Sequence, residues 1–229
     1  MTTGFAAGQL APDGVRRMFD RIAPVYDVMN RVMTAGLDLR WRRITAEAVV
    51  RPGDRVLDAC CGTGDLAIAA TRAGGTVTGL DFSPRMLERA RRKSSAVTWV
   101  EGDLLALPFE AGSFEAATVG FGVRNVSDLE QGLAELSRVL VAGGRVGILE
   151  ITTPCGLLAP FYRVWFDRVV PLIGKLLKGG AAYAYLPASV RRFPAPDELA
   201  ELMGRAGFGG VEYRTFAGGI VALHTGTKE

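Results

Sequence analysis

The residues best suited to chemistry lie in one run, Arg55-Val-Leu-Asp-Ala-Cys-Cys-Gly-Thr-Gly-Asp-Leu-Ala67, and in Gly79-Leu-Asp81 beyond it. Gly62 and Gly64, flanking Thr63, let the backbone approach a ligand closely and take angles that a Cβ forbids. A helix starting near Asp65 would offer unpaired N–H groups to a carboxylate or phosphate. Asp81, followed by Phe82, ends a second strand, where its carboxylate can accept hydrogen bonds from a ribose diol. Asp103-Leu104 follows a third strand, where an adenine amino group would lie. Together these residues mark a site for a nucleoside-bearing cofactor.

The stretch Gly62 to Ala67 also satisfies the G-x-G-x-x-G/A dinucleotide fingerprint, so NAD is one candidate. Asp58 argues for the other. A carboxylate just before the glycine loop would repel a pyrophosphate, whereas beside the amino group of S-adenosylmethionine it attracts. Tyr-x-x-x-Lys is absent and His224 is the single histidine, which leaves hydride transfer poorly equipped. Methyl transfer is therefore the expectation, and an NAD-dependent oxidoreductase is the alternative from another class. A non-catalytic nucleotide-binding partner of a biosynthetic complex is a third.

Elements that could hold such a site follow from periodicity. Val15, Met18, Phe19, Ile22, Val25, Tyr26 and Met29 recur at threes and fours, which predicts a helix that Pro24 kinks or divides. A second helix over about 38–50 stops at Pro52-Gly53. Strands follow near 55–59, 76–81, 97–101, 114–120 and 145–151, with helices over 65–73, 84–93 and 128–140. Strand–helix alternation with short links predicts a doubly wound parallel sheet, an α/β Rossmann-like fold with helices on both faces. An apolar, partly helical insertion over 153–194 interrupts it. A helix from Pro196 to Arg205 precedes strands over 210–216 and 219–225, joined by Ala217-Gly218-Gly219 as a hairpin.

Composition narrows the class. At 229 residues the chain suits one domain, 1–229, with 13–50 as an N-terminal helical cap. A net charge of +3 gives no argument for nucleic acid. Cys60, Cys61 and Cys155 lack metal-ligand spacing, so a reducing, cytoplasmic setting without a bound metal is expected. Met1 to Gln9 has neither a basic start nor a long apolar run, and no stretch reads as a membrane span.

Beyond these general features, the chain resembles the ubiquinone/menaquinone C-methyltransferase family. The resemblance rests on Met18-Phe-Asp-Arg-Ile-Ala-Pro-Val-Tyr-Asp27, Leu57-Asp-Ala-Cys-Cys-Gly-Thr-Gly-Asp65, Gly120-Phe-Gly-Val-Arg-Asn-Val-Ser-Asp128, Tyr185-Leu-Pro-Ala-Ser189 and Gly219-Ile-Val-Ala-Leu-His224. It implies a class I methyltransferase fold, seven strands with the last antiparallel. It also implies S-adenosylmethionine contacts at Thr63, Asp81 and Asp103-Leu104, and at Gly120, where ubiquinone-type members often carry Ser. Cys60 stands where many class I enzymes have the first glycine, so Gly62 and Gly64 are expected to approach the ligand most closely.

The implied reaction methylates a ring carbon of a reduced polyprenylated quinone, demethylmenaquinol in preference to a benzoquinol. A phenolic ring carbon becomes nucleophilic once its hydroxyl ionises. Arg124, after the fourth strand, is the candidate to stabilise the phenolate and Asn125 to orient the hydroxyl; the bland role for Arg124 is a salt bridge. Asp65 is a candidate base, with helix N-capping as its alternative. His224 suits general-base work by its ordinary pKa, or is structural. Tyr26 is expected to fold over the cofactor or to pack in the core. Asp20 and Asp27 read as surface or capping residues. Residues 155–180 mix Phe161, Trp165 and Phe166 with Arg163, Arg168, Lys175 and Lys178, which suits peripheral contact with a membrane surface, or else a lid or homodimer contact.

Overall fold

In the computed structural model, residues 11–153 and 180–229 are described. Three helices come first: α1 (Pro12–Ile22), α2 (Tyr26–Thr34) and α3 (Leu37–Val49). Pro24 falls between α1 and α2, as its ring demands. Ala35 and Gly36 then turn the chain in the left-handed region, at φ 49° and 77°, which separates α2 from the second predicted helix, α3.

The remainder alternates. β1 (Arg55–Ala59), α4 (Asp65–Arg72), β2 (Thr76–Asp81), α5 (Pro84–Lys93), β3 (Thr98–Glu101), β4 (Phe114–Gly120), α6 (Leu129–Val139) and β5 (Leu140–Ile151) follow in order, and then α7 (Gly180–Arg192), α8 (Pro196–Arg205), β6 (Phe208–Phe216) and β7 (Val221–Lys228). They form one seven-stranded sheet in the order β3-β2-β1-β4-β5-β7-β6. β1 to β5 pair in parallel and β7 runs antiparallel to both β5 and β6. The expected class I arrangement is therefore present. β5 and β6 start earlier than the alternation suggests, and β7 lies two to three residues later. The insertion proper, with the aromatic and basic residues expected at a membrane surface, falls outside the described residues.

Local signals explain the boundaries. Ser83 caps α5 by accepting a hydrogen bond from the Met86 N–H at 3.2 Å, with Pro84 as the first helical residue. Asp128 does the same for α6 through Gln131 at 3.0 Å. One face of the sheet buries Leu57, Val119, Leu133, Leu136 and Ile148 beneath α6 and α8. The other buries Val56, Val77 and Ala116 beneath α3 and α4. α1 and α2 have a separate apolar cluster, Ile22, Ala23 and Met29 against Met86 of α5 and Val190 of α7. α1 and α2 thus form a lid at the carboxyl edge of the strands, while α3 packs on a face of the sheet.

Candidate active site

Two cavities meet beneath that lid. The first follows the strand ends and is lined by Tyr26, Cys60, Cys61, Gly62, Thr63, Asp65, Asp81, Phe82, Asp103, Leu104, Gly120 and Asn125, among others. The second, of about 230 Å³, is walled by Met18, Ile22, Met33, Leu37, Trp41, Ile151 and Ile220, with Arg124 and Tyr185 at its polar side. Phe19, Tyr26, Arg42, Phe121 and Asn125 belong to both walls.

The first cavity brings together most of the residues expected to bind the cofactor. Asp81 is buried and accepts hydrogen bonds from the N–H groups of Gly62 at 2.8 Å and Ser83 at 2.9 Å. Burial raises its pKa to about 6, and those two amides offset part of the cost. Phe82 and Tyr26 each meet Phe19 edge-on, with ring centroids 6.2 Å apart. Asp103 accepts from the Leu105 N–H at 3.0 Å, which sets the turn that carries Leu104 into the wall.

Two members of the expected set do not line either cavity. Gly64, at φ 88°, caps α4 with its backbone, but a Cβ there would collide with the Trp99 ring rather than with a ligand. Its side of the loop is filled by Trp99, and Gly62 makes the approach instead. Asp58 is fully buried under the loop, accepting from the Thr118 hydroxyl at 2.8 Å, while its Oδ2 has no partner. Desolvation raises its pKa to about 7.

Asp65 lies at the first cavity but is poorly suited to take a proton. Arg31 donates to it at 2.7 Å and Lys93 at 2.9 Å. These cations outweigh its desolvation and hold the carboxyl below its usual range. It is also the first residue of α4 rather than its cap. Asp20 and Asp27, read as surface or capping residues, are part of the same machinery. Asp20 accepts from the Ser83 hydroxyl at 2.7 Å. Asp27 accepts from the Thr63 hydroxyl at 2.5 Å and pairs with Lys93 at 2.7 Å. The lid is therefore pinned to the glycine loop by charge.

His224 belongs to neither cavity. β7 leads Ile220 and Val221 into the second cavity, but three residues later His224 is buried against α8. Its Nε2 lies 2.9 Å from the Pro196 carbonyl and its ring 5.1 Å from that of Tyr213. Burial lowers its pKa. Of its two readings, base or structural residue, this placement against the Pro196 carbonyl fits the structural one.

Arg124 and Asn125 do reach the second cavity, on a 3₁₀ turn over Val123–Asn125. Glu150, which no motif signalled, lies 2.6 Å from Arg124 Nη1 and accepts from its guanidinium, and the same nitrogen donates to the Phe121 carbonyl at 2.6 Å. Among the described residues, Asn125 Oδ1 is buried without a hydrogen-bond partner, at the wall between the cavities. An unsatisfied acceptor there costs free energy unless a ligand donor meets it.

The fold and this paired site define a class I S-adenosylmethionine-dependent methyltransferase. Solved structures with the same fold include the [4+2]-cyclase SpnF, at TM-score 0.71 and 18% identity, covering 96% of this chain and 97% of that one. A methyltransferase from Thermotoga maritima matches at TM-score 0.65 and 22% identity, covering 93% and 99%. At such identities they speak for the fold alone. Residues 8–228 match the ubiE/COQ5 methyltransferase family. A demethylmenaquinone methyltransferase of Thermus thermophilus is 46% identical over 92% of this chain and 100% of its own length. One from Deinococcus radiodurans is 45% identical over 93% and 92%. A ubiquinone/menaquinone biosynthesis C-methyltransferase of a Geobacter strain is 40% identical over 93% and 96%. The chain belongs to the ubiE/COQ5 methyltransferase family.

Proposed function

We propose that this chain methylates a ring carbon of a reduced polyprenylated quinone, with demethylmenaquinol as the acceptor. The observation that carries the reading is the shared wall: a cavity at the strand ends, with Asp65, Asp81 and Asp103 in its lining, meets a second, more apolar one at Phe19, Tyr26, Arg42, Phe121 and Asn125. The first cavity fits S-adenosylmethionine by its donors and acceptors. Asp81 would take the ribose hydroxyls, Asp103 and Leu104 the adenine end, and the Gly62 loop the amino-acid end. Bound there, S-adenosylmethionine supplies an electrophilic methyl group.

The chain's own contribution is placement and dryness. Asn125 Oδ1 accepts the acceptor's hydroxyl and so fixes which ring carbon faces the first cavity. Tyr26 and Phe19 close the wall from above and exclude water, which strengthens the remaining electrostatics. Orientation of this kind supplies roughly 7–11 kcal/mol of a barrier. Preference for a naphthoquinol rests on Gly120. A Cβ there would stand 2.9 Å from Leu66 Cδ2 and 3.0 Å from Arg42 Nη1, narrowing the wall.

The decisive experiment follows labelled methyl from S-adenosylmethionine to chemically reduced demethylmenaquinone held in liposomes, beside a polyprenyl benzoquinol. Label in menaquinone is the expected result. Label in the benzoquinol alone would overturn the acceptor, and none in either would sink the reading. Sedimentation of the enzyme with the same liposomes reads the membrane contact proposed for residues 155–180.

A further inference from the structure

Two arginines border the acceptor cavity, and they are not equivalent. Arg124 is neutralised. Its Nη1 meets Glu150 at 2.6 Å, both side chains are buried, and the same nitrogen holds the Phe121 carbonyl. That pair builds the floor of the wall, because Phe121 keeps a left-handed backbone at φ 62° with its N–H donated to the Leu149 carbonyl at 2.8 Å. A guanidinium already matched by a carboxylate has little attraction left for a second anion.

Arg42 is different. It is 5% exposed on α3, lines both cavities, and lies with its guanidinium carbon 5.0 Å from the Phe121 ring centroid. Asp38 is its salt-bridge partner at 3.7 Å from Nε, a longer contact than the 2.6 Å Arg124–Glu150 pair, and among the described residues Nε makes no hydrogen bond, which is equally true of Arg124 Nε. Asp38 is itself taken: Arg31 donates to Oδ2, and the Thr34 hydroxyl donates to Oδ1 at 3.0 Å. Asp65, the next acid on that side, is claimed by Lys93 and Arg31. Asp58, below the loop, has a pKa of about 7 and supplies only part of a charge at neutral pH. A buried guanidinium so weakly matched is costly unless an anion arrives beside it.

We infer that Arg42, and not Arg124, holds the oxyanion of the ionised acceptor at the wall between the cavities. The inference rests on the reading of the acceptor as a phenolic quinol. One of its two hydroxyls loses its proton to solvent before the lid closes, the other stays to donate to Asn125, and the electron pair left on oxygen feeds into the ring. The carbon so activated would bond the methyl as the methyl–sulfur bond breaks and the thioether leaves, and the ring proton would then pass to solvent to restore the aromatic ring. Arg42 favours that form because a charge-assisted bond to an oxyanion is about twice as strong as a neutral one. The planar fork matters as well as the charge.

The test compares two probes on the full chain by quenching of tryptophan fluorescence, since Trp41 lines the acceptor cavity. The probes are 2-hydroxy-1,4-naphthoquinone, an anion at neutral pH, and the neutral 2-methyl-1,4-naphthoquinone. Wild type is expected to prefer the anion by ~10- to 100-fold. Arg42→Gln should bring the two within about threefold, Arg42→Lys should keep an intermediate preference, and the paired replacement Arg124→Gln/Glu150→Gln, which leaves no buried charge unmatched, should keep the full one. Full preference in Arg42→Gln, or its loss in Arg124→Gln/Glu150→Gln, overturns the assignment, as does a wild type with no preference. If Arg42→Gln does not fold by circular dichroism, Arg42→Lys decides, and an undiminished preference there is fatal. Methyl transfer by wild type is run alongside. No transfer with an intact anion preference would fell the quinol reading and leave Arg42 as the anion holder. Transfer without that preference would do the opposite.

Discussion

Asp58 is where burial and charge conflict most sharply. It ends a strand with one carboxylate oxygen on Thr118 and the other bare. Desolvation lifts its pKa to about 7, and the Thr118 bond and the charge of Arg42 limit the rise. In the unfolded chain the same group titrates near its ordinary value, about 3.9. The folded state therefore binds a proton more tightly than the unfolded one. Its stabilising contribution is complete below the unfolded pKa and is lost as pH rises through the folded pKa. Wild type should lose about 2 kcal/mol more unfolding free energy than Asp58→Asn between pH 5 and pH 8, measured in urea. Asp81, raised to about 6, contributes in the same direction in both proteins and cancels in the comparison. Parallel pH profiles for the two would show that Asp58 is ionised throughout, held by a partner other than Thr118 and Arg42.

At the scale of elements, the strand ends were legible because short apolar runs broken by glycine and acid can hardly be anything but buried parallel strands. Asp81 closes one such run and Asp103 follows another two residues on, whereas Thr63 was singled out by the glycine loop and the family resemblance. What spacing cannot reveal is pairing between distant segments. Asp27 and Thr63 meet across 36 positions, and Arg124 and Glu150 across 26. Glu150 in particular looks like any acid at the end of an apolar strand until β4 and β5 align. For His224, sequence left a base and a structural role open, and β7 carries the residue away from the cavities toward α8. It should therefore behave as a structural residue. His224→Gln is expected to keep the rate of methyl transfer while losing about 1–2 kcal/mol of stability, through the Pro196 carbonyl and the Tyr213 contact. A fall in turnover of a hundredfold at unchanged melting temperature would restore it to the mechanism.

Over the whole molecule, the separate apolar cluster of α1 and α2 means that the lid and the sheet need not open together. The sheet carries its core on both faces, in clusters to which neither helix contributes. The lid is tied instead to α5 by Asp20 on Ser83 and Asp27 on Lys93, to the glycine loop by Asp27 on Thr63, and to the start of α4 by Arg31 on Asp65. Segments held by few apolar contacts open at lower free energy than the core they cover. A ligand enclosed by the closed lid shifts the population toward it, by no more than the ligand's own preference for that state. Backbone amides of α1 and α2 should then exchange with solvent at least ~100-fold faster than those of β1, β4 and β5. S-adenosylhomocysteine should slow exchange in the two helices and leave the strands nearly unchanged. Lys93 joins Asp27 of the lid to Asp65 of the loop. Lys93→Met should thus remove most of that protection and weaken S-adenosylhomocysteine binding by about tenfold, with the melting temperature little changed. Equal exchange across lid and sheet, with or without the ligand, would mean that the molecule opens as one cooperative unit and that the charges at the lid only decorate a closed site.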